Sequence, residues 1–326
     1  MIVIRYGEDK LERAPEASLT LGTFDGVHLG HFDLLTELTR GEMPTVVTFE
    51  PHPQHVLMNH PDRLQLLSPI TEKLRKLERA GVARTVILPF TRELASLSAM
   101  DFLRELLIGE IGMKKLVVGF NHSFGRGREG TIKFMKDHSS ELGYELTIVE
   151  SHDELGRSVS STRIRQAIAA GDLRIANHFL TSPYRTPARV VRGEGRGQAL
   201  GYPTANLEFY SADQLIPAEG VYAVRVILEE ELVDGVASIG RKETFGEYPL
   251  SIEVHLFDRK IDLYDRSISV IWIDYLRNQE VFASGEELTA QMDRDSAMAK
   301  QALSEADERG LLPIPEAEQK RNGKRT

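Results

Sequence analysis

Through the first half of the chain, short apolar runs alternate with amphipathic ones. "SLTLGTF" (18–24), "TVVTFE" (45–50), "ARTVILPF" (83–90), "KKLVVGF" (114–120) and "ELTIVE" (145–150) read as strands. Between them, "HFDLLTEL" (31–38), "ITEKLRKLERAG" (70–81), "SAMDFLRELLIGEI" (98–111) and "TIKFMKDHSSELG" (131–143) carry apolar residues at helical spacing, with Leu34, Leu35 and Leu38 on one inward face. Short Val- and Ile-rich strands separated by amphipathic helices predict a parallel sheet with helices on both faces. "SSTRIRQAIAAGDLRIANHFL" (160–180) closes this half as two helices broken near Gly171.

The pattern changes after "TSPYRTPARV", where Pro183 and Pro187 flank a linker. "ARVVRG", "GVYAVRVIL", "LVDGVASIG", "LSIEVHLFD" and "SISVIWIDYL" follow as short strands with turn residues and no helix between them. They predict an antiparallel sheet or small barrel, and "GEELTAQMDRDSAMAKQAL" (285–303) a terminal helix. The expected organisation is an α/β Rossmann-like domain over 1–182, an antiparallel β-barrel domain with its terminal helix over 183–305, and a polar tail over 306–326.

Composition narrows the function classes. Two domains suit 326 residues. Cysteine is absent, which removes disulfides, thiolate metal sites and a cysteine nucleophile, and suits a reducing cytoplasm. A net charge of −9 argues against broad binding to nucleic acid or an anionic membrane. No apolar run approaches the ~20 residues of a membrane span. The opening "MIVIRYGEDKLERAPE" is too charged for a signal peptide, and the closing "EQKRNGKRT" reads as a solvated tail.

Two stretches carry the chemistry. "GTFDGVHLGH" (22–31) lies between an apolar strand and an apolar helix. In a doubly wound sheet, ligands bind beyond the carboxyl ends of the strands. Glycines there let phosphates approach the backbone, and a helix N-terminus offers N–H groups and the positive end of its dipole. His28 and His31 can donate to phosphate oxygens as charge builds in a transition state. The stretch is neither a P-loop nor a dinucleotide fingerprint. His52, His55 and His60 fit structural or surface roles better than a zinc cluster, since His52 and His55 lack a helical ligand spacing and no H-E-x-x-H occurs. A DNA-binding reading of Arg163, Arg165 and Arg174 sits badly with the acidic chain.

The second stretch is "RGEGRGQALGYPTANL" (192–207). Its glycines can wrap phosphates, Pro203 fixes the chain, and the neutral oxygens of Thr204 and Asn206 suit Mg²⁺. Glu253 points to the face opposite Ile252 and Val254. A carboxylate there can take a proton from an attacking hydroxyl.

"GTFDGVHLGH" resembles the HxGH nucleotidyltransferases, and more narrowly the adenylyl-transferring module of prokaryotic bifunctional riboflavin kinase/FAD synthetases. "VTFEPHP" (47–53), "GFNHSFGRGREG" (119–130), "VSSTRIR" (159–165), "LGYPTAN", "GVYAV", "IEVHLFD" and "LRNQEVFASGEELTAQMDRD" (276–295) are similar to that family's segments too. The resemblance covers about residues 15 to 300. It implies that His28 and His31 stabilise the α-phosphate transition state and that Arg165 holds the β- and γ-phosphates. Gly22, Thr23, Phe24, Gly30, Ser161 and Thr162 would line the first ATP site, with Ser161 or Thr162 capping the helix of Arg165. Asn121 and Phe124 would contact flavin there. In the second domain, Gly193, Gly195, Gly197, Thr204 and Asn206 would bind ATP, with Thr204 and Asn206 on Mg²⁺. Glu253 would be the base, and Arg277 and Phe282 would lie near flavin.

The implied function is phosphorylation of riboflavin by ATP to FMN and ADP, then adenylylation of FMN to FAD and pyrophosphate, in a monomer or weak homo-oligomer. Two alternatives stay open: an adenylyltransferase for another substrate fused to an inert β domain, and a non-catalytic flavin-binding protein. The chain departs from the family in "GRKETFG", with Glu243 where proline is usual. It departs again in "LYDR", with Asp265 and Arg266 where glycine and lysine are usual.

Overall fold

The computed structural model describes residues 1–58, 64–154, 156–193, 201–241, 250–259 and 261–310. The chain divides into two compact units, with the division between Ser161 and Thr162. It falls before the prolines that mark the expected linker.

The first unit holds six parallel strands: β1 (Ile2–Arg5), β2 (Ala17–Leu21), β3 (Thr45–Glu50), β4 (Arg84–Pro89), β5 (Met113–Gly119) and β6 (Glu145–Val149). Their order is β1-β4-β3-β2-β5-β6. Alternation sorts the core. Leu19, Leu21, Val47, Val86, Leu88, Leu116 and Val118 face one layer of helices. Val46 and Val117 face the other, against Leu34, Leu35, Leu38 and Leu77. The helices are α1 (Leu29–Leu38), α2 (Pro53–Leu57), α3 (Ile70–Arg79), α4 (Arg92–Ser96), α5 (Ala99–Asp101) and α6 (Ile132–Leu142).

Several details differ from the sequence expectation. The strand expected over 18–24 stops at Leu21, because Phe24 and Val27 adopt positive φ of 47° and 45°. The helix expected over 98–111 begins as α5 and widens into a π-helical stretch, Phe102–Ile111. Its end is closed by Gly112 N–H donating five residues back to Leu107 O. β1 escaped the sequence reading because it is a half-exposed edge strand, with Ile2 57% and Val3 39% exposed. A short ribbon, β7 (Asp153–Glu154) with β8 (Arg157–Ser158), precedes α7 (Ser161–Ala169).

Crossovers run from β2 through β3 to β4 on one side, and from β5 to β6 on the other. The switch therefore lies between adjacent β2 and β5. The loops after these two strands are "GTFDGVH" and "FNHSFGRGREG", so the topology places both sequence-selected loops at the carboxyl ends flanking the switch.

The second unit is a closed antiparallel barrel of β9 (Arg185–Val191), β10 (Ala205–Phe209), β11 (Gly220–Leu228), β12 (Glu231–Arg241), β13 (Leu250–Leu256) and β14 (Ser267–Arg277). Its order is β10-β13-β12-β11-β14-β9, with β9 pairing back to β10. β10 is the strand that the apolar pattern missed, since "ANLEF" is short and half polar. Fully buried Tyr222 and Trp272 meet edge to face at 5.3 Å. The last helix, α9 (Gly285–Glu308), lays Ala299, Ala302, Leu303 and Ala306 against Ala223, Ile271 and Ile273. Small side chains let the helix approach closely. Buried Arg225 then ties it down through Asp307 at 2.5 and 2.8 Å.

α8 (Leu173–Phe179) belongs to this unit through Asn177. That buried amide donates to Trp272 O at 2.8 Å and accepts from Tyr184 N–H at 2.8 Å. Truncation leaves a buried carbonyl and a buried N–H without these partners, at about 1–3 kcal/mol for such a group. Asn177→Ala should therefore lower the thermal midpoint by several degrees, which a calorimetric scan beside the wild type will show. An unchanged midpoint would mean that α8 is not fastened by this side chain.

Candidate functional site

The loop after β2 is strained and held. Positive φ at a phenylalanine and a β-branched valine costs on the order of 1–3 kcal/mol each. Both side chains are sunk in the core, 2% and 1% exposed. The buried Asp25 carboxylate between them accepts from Leu67 N–H and Ser68 N–H, each at 3.0 Å. Gly26 N–H donates to Ser68 Oγ at 3.0 Å, and Lys76 Nζ donates to Gly26 O at 2.8 Å. Burial brings the Lys76 ammonium down to a pKa of about 8 against the opposing pull of Glu72. Ser161 Oγ, at the start of α7, donates to Asp25 O at 2.9 Å.

This loop delivers the two histidines. His28 is the N-cap of α1 and His31 its third residue. Each Nδ1 accepts from the other residue's backbone N–H at 3.4 Å, a reciprocal cap made by imidazoles. The rings stack with centroids 3.7 Å apart. With each Nδ1 turned to a backbone N–H, the nitrogen left to donate on each ring is Nε2. Burial first, then the electrostatic influence of neighbouring groups that include Lys73 and Lys76, holds the His31 pKa well below its ordinary value. A side chain at Gly30 would press on the His28 ring at 3.4 Å, and one at Gly22 on the Phe24 ring at 3.3 Å. Thr23 offers its carbonyl to Thr48 Oγ1 at 3.3 Å.

The other first-site residues are placed as follows. Asn121 is exposed in the loop after β5, whereas Phe124 is buried in the core beside Phe102. Between them His122 Nε2 is buried with no hydrogen-bond partner among the described residues. Thr162 and Arg165 lie on α7. His52 caps α2 by accepting Gln54 N–H at 3.2 Å, and His55 Nε2 meets Leu64 O at 2.7 Å, the structural roles expected of them. His60 lies outside the described residues. Among the described residues, no cluster of three His, Asp or Glu side chains is placed to hold a metal.

The second site is built by strand register. β10 and β13 pair Asn206 with Glu253, and Thr204 Oγ1 donates to Glu253 Oε2 at 2.9 Å. A Cβ at Gly193 would fall 1.9 Å from Asn206 Nδ2, so a larger residue there would force that amide to move. The three oxygen-bearing residues expected from the sequence thus converge. A cleft of about 510 Å³ opens beside Thr204, lined in part by Pro203, Val254, Leu263 and Tyr264. Gly195, Gly197 and Glu243 lie outside the described residues. Arg277 is clamped by Asp295, with Nε to Oδ1 and Nη2 to Oδ2 both 2.7 Å, and lies 5.8 Å from the Phe282 ring centroid.

The comparisons with known proteins agree with this pairing of sites. Residues 10–163 match the FAD synthetase family model and residues 180–303 the riboflavin kinase model. The chain is 38% identical over 305 residues to the bifunctional riboflavin kinase/FMN adenylyltransferase of Escherichia coli strain K12, covering 90% of this chain and 96% of that protein. The chain belongs to the bifunctional riboflavin kinase/FMN adenylyltransferase family. The Bacillus subtilis member is 35% identical over 298 residues, covering 88% of this chain and 93% of that one. A crystal structure described as a macrolide-efflux protein from Streptococcus pneumoniae superposes with a TM-score of 0.84 at 32% identity, covering 92% of this chain and 99% of that one. Among the described residues of this family member, no helix is long and apolar enough to cross a membrane.

One departure from the family pattern has a structural reason. Asp265 sits at φ 63°, the left-handed region where glycine is easiest and aspartate is tolerated. Its carboxylate accepts from Arg189 Nη2 at 2.8 Å. Other residues went unassigned in the sequence reading. Asp293 accepts from Tyr202 O–H, a bond that first among causes raises the Tyr202 pKa to about 12, and Asp295 holds Arg277. Lys73 and Lys76 were hidden in an apparently ordinary amphipathic helix. The available signal was that Lys73 stands four residues before buried Leu77, on the same face.

His122 yields a pH prediction. Burial first, and the nearby Arg128 charge second, bring its pKa down to about 4 from 6.5. The unfolded chain then binds the extra proton between those values. Its stabilising share is complete above about pH 6.5 and is lost as pH falls toward 4, on the order of 2–3 kcal/mol. His122→Phe should flatten the fall of chemical-denaturation stability across that window. An equally steep fall in the variant would refute the assignment.

Proposed function

We propose that the first site adenylylates FMN and that the barrel site phosphorylates riboflavin, with the two reactions assigned to residues 1–182 and 183–305. The observation that carries the reading is the pair of preorganised donor sets: stacked Nε2–H imidazoles at a helix N-terminus, and a Thr204–Glu253–Asn206 cluster on adjoining strands.

In the first reaction, a phosphate oxygen of FMN attacks the α-phosphorus of ATP and pyrophosphate leaves. His28 and His31 meet the negative charge that grows on the α-phosphate oxygens. The neutral, buried state of His31 suits this role, because developing anionic charge draws the imidazole toward its charged form. Arg165 offers a planar fork to the β- and γ-phosphates. Gly22, Thr23, Phe24, Gly30, Ser161 and Thr162 shape the ATP cradle. Asn121 and Phe124 border the flavin, Phe124 from the core side of that loop.

In the second reaction, Glu253 takes the proton of the ribityl 5′-hydroxyl as its oxygen attacks the γ-phosphorus, and ADP leaves. Thr204 orients the carboxylate by donating to it, and its hydroxyl oxygen can still accept a cation. Hydroxyl, amide and carboxylate oxygens are hard donors, so this set fits Mg²⁺ held by Thr204 and Asn206 together with ATP oxygens and waters. Bound there, Mg²⁺ neutralises phosphate charge. Gly193, Gly195 and Gly197 wrap the phosphates, and Arg277 and Phe282 border the flavin. The cytoplasm supplies ATP and the reducing conditions that a cysteine-free chain suits, and the working form is a monomer or weak homo-oligomer.

Two substitutions test the assignments separately. His31→Ala should cut FAD formation about 10²–10³-fold, mostly in kcat, and leave FMN formation near wild type. Chromatography of the flavins separates the two products, and undiminished FAD synthesis by the folded variant would exclude the role. Glu253→Gln keeps the shape but cannot accept the proton, so riboflavin phosphorylation should fall by ~10² or more while supplied FMN is still adenylylated. A loss below about tenfold, measured against wild-type turnover at saturating ATP, would make Glu253 a solvated strand residue.

A further inference from the structure

The two buried lysines of α3 differ in what they hold. Lys76 has a short bond to Gly26 O and supports the loop. Lys73, three residues earlier and 6% exposed, has one hydrogen bond among the described residues, at 3.5 Å to Thr48 Oγ1. It forms no ion pair among the described residues. Two carboxylates are near enough to act on it electrostatically, Asp25 and Glu50. Asp25 is turned to the backbone of Leu67 and Ser68, and Glu50 pairs with Arg5 Nη1 at 2.7 Å. A buried ammonium without an anion is costly, and burial lowers its pKa accordingly.

Its position indicates which anion it lacks. Thr48 stands at the carboxyl end of β3, and its hydroxyl donates to Thr23 O in the loop after β2. The Lys73 charge is also felt at His31. We propose that Lys73 is a further phosphate-holding residue of the first site, its ammonium taking an anionic oxygen of the nucleoside triphosphate. This rests on the reading of that site as the adenylyl-transfer site.

The test uses the full-length protein and Lys73→Met. Inorganic pyrophosphate, the product that carries the same anionic oxygens, is titrated calorimetrically, and FAD and FMN formation are followed in parallel. Pyrophosphate affinity should weaken about tenfold or more, as loss of a charge-assisted bond does. KM for ATP in FAD formation should rise to match, and riboflavin phosphorylation should stay unchanged. Lys73→Arg should retain affinity within about threefold.

The thermal midpoint distinguishes a site lysine from a structural one. Removing an unpaired buried cation should leave the midpoint unchanged or raise it. A lower midpoint, a variant that does not fold, or unchanged pyrophosphate affinity overturns the proposal. If the wild type itself makes no FAD, the reading of the site fails; if it does and Lys73→Met binds pyrophosphate normally, only the role of Lys73 fails.

Discussion

The Asp25 carboxylate holds the geometry of the first site. It sits between two residues with positive φ, and its bonds to Leu67 and Ser68 pin the loop from the far side. Without that clamp the turn would relax toward ordinary backbone angles. His28 would then leave the N-cap, and the reciprocal imidazole cap with His31 would open. A strained loop is tolerable only where its surroundings over-determine it. Here the surroundings are two sunken apolar side chains, a buried carboxylate, and Lys76 on the Gly26 carbonyl. The strain places donor groups beyond a sheet edge before any ligand arrives, which lowers the ordering cost at the moment of binding.

The barrel reaches a comparable end by different means. No helix N-terminus is needed, because antiparallel register itself sets Asn206 opposite Glu253 and brings Thr204 within 2.9 Å. A shift of one residue in β10 would turn those side chains to the other face. Closure of the sheet fixes that register, since β10 is bonded on both sides, to β13 and to β9. α9 adds a second constraint. Its Asp293 and Asp295 reach Tyr202 and Arg277, so a single helix steadies the strand entry beside Thr204 and the arginine at the end of β14. The aspartates are two residues apart, and a rigid helix is what lets them act on two separate segments.

Much of this was legible in the sequence, for identifiable reasons. The β-α alternation revealed the parallel sheet, because strands buried on both faces, such as "TVVTFE", need continuous apolar runs. The change to closely spaced strands revealed the barrel. The site residues stood out where glycine and histidine crowd a strand-to-helix junction. What stayed hidden depends on contacts across long sequence separations. Asp25 lies inside the quoted motif, yet its role needs residues 67 and 68. Arg277 looks like a ligand arginine, and only the fold brings Asp295 to it. Ile2–Arg5 was missed because an edge strand exposes the side chains that would otherwise announce it. The π-helical widening before Gly112 has no periodic signature, as Phe102, Leu103, Leu106 and Leu107 fit an ordinary helix equally well.

The electrostatics of the first site connect its stability to its chemistry. His31 and Lys73 both have their charged forms disfavoured by burial; His31 also feels the charges of Lys73 and Lys76, whereas the carboxylates of Asp25 and Glu50 partly offset the effect at Lys73. In the empty protein this is a burden, since a buried ammonium without an anion costs free energy. An anion arriving at the site reverses the sign of the local potential, and each group then gains from being charged. On the proposed reading, part of the binding energy of the triphosphate is used to restore that charge. The remainder becomes available only when further negative charge develops on the phosphorus oxygens. Interactions that strengthen in this way along the reaction raise kcat more than they tighten substrate. A site with fully paired cations would be more stable when empty and would have less left to offer the transition state.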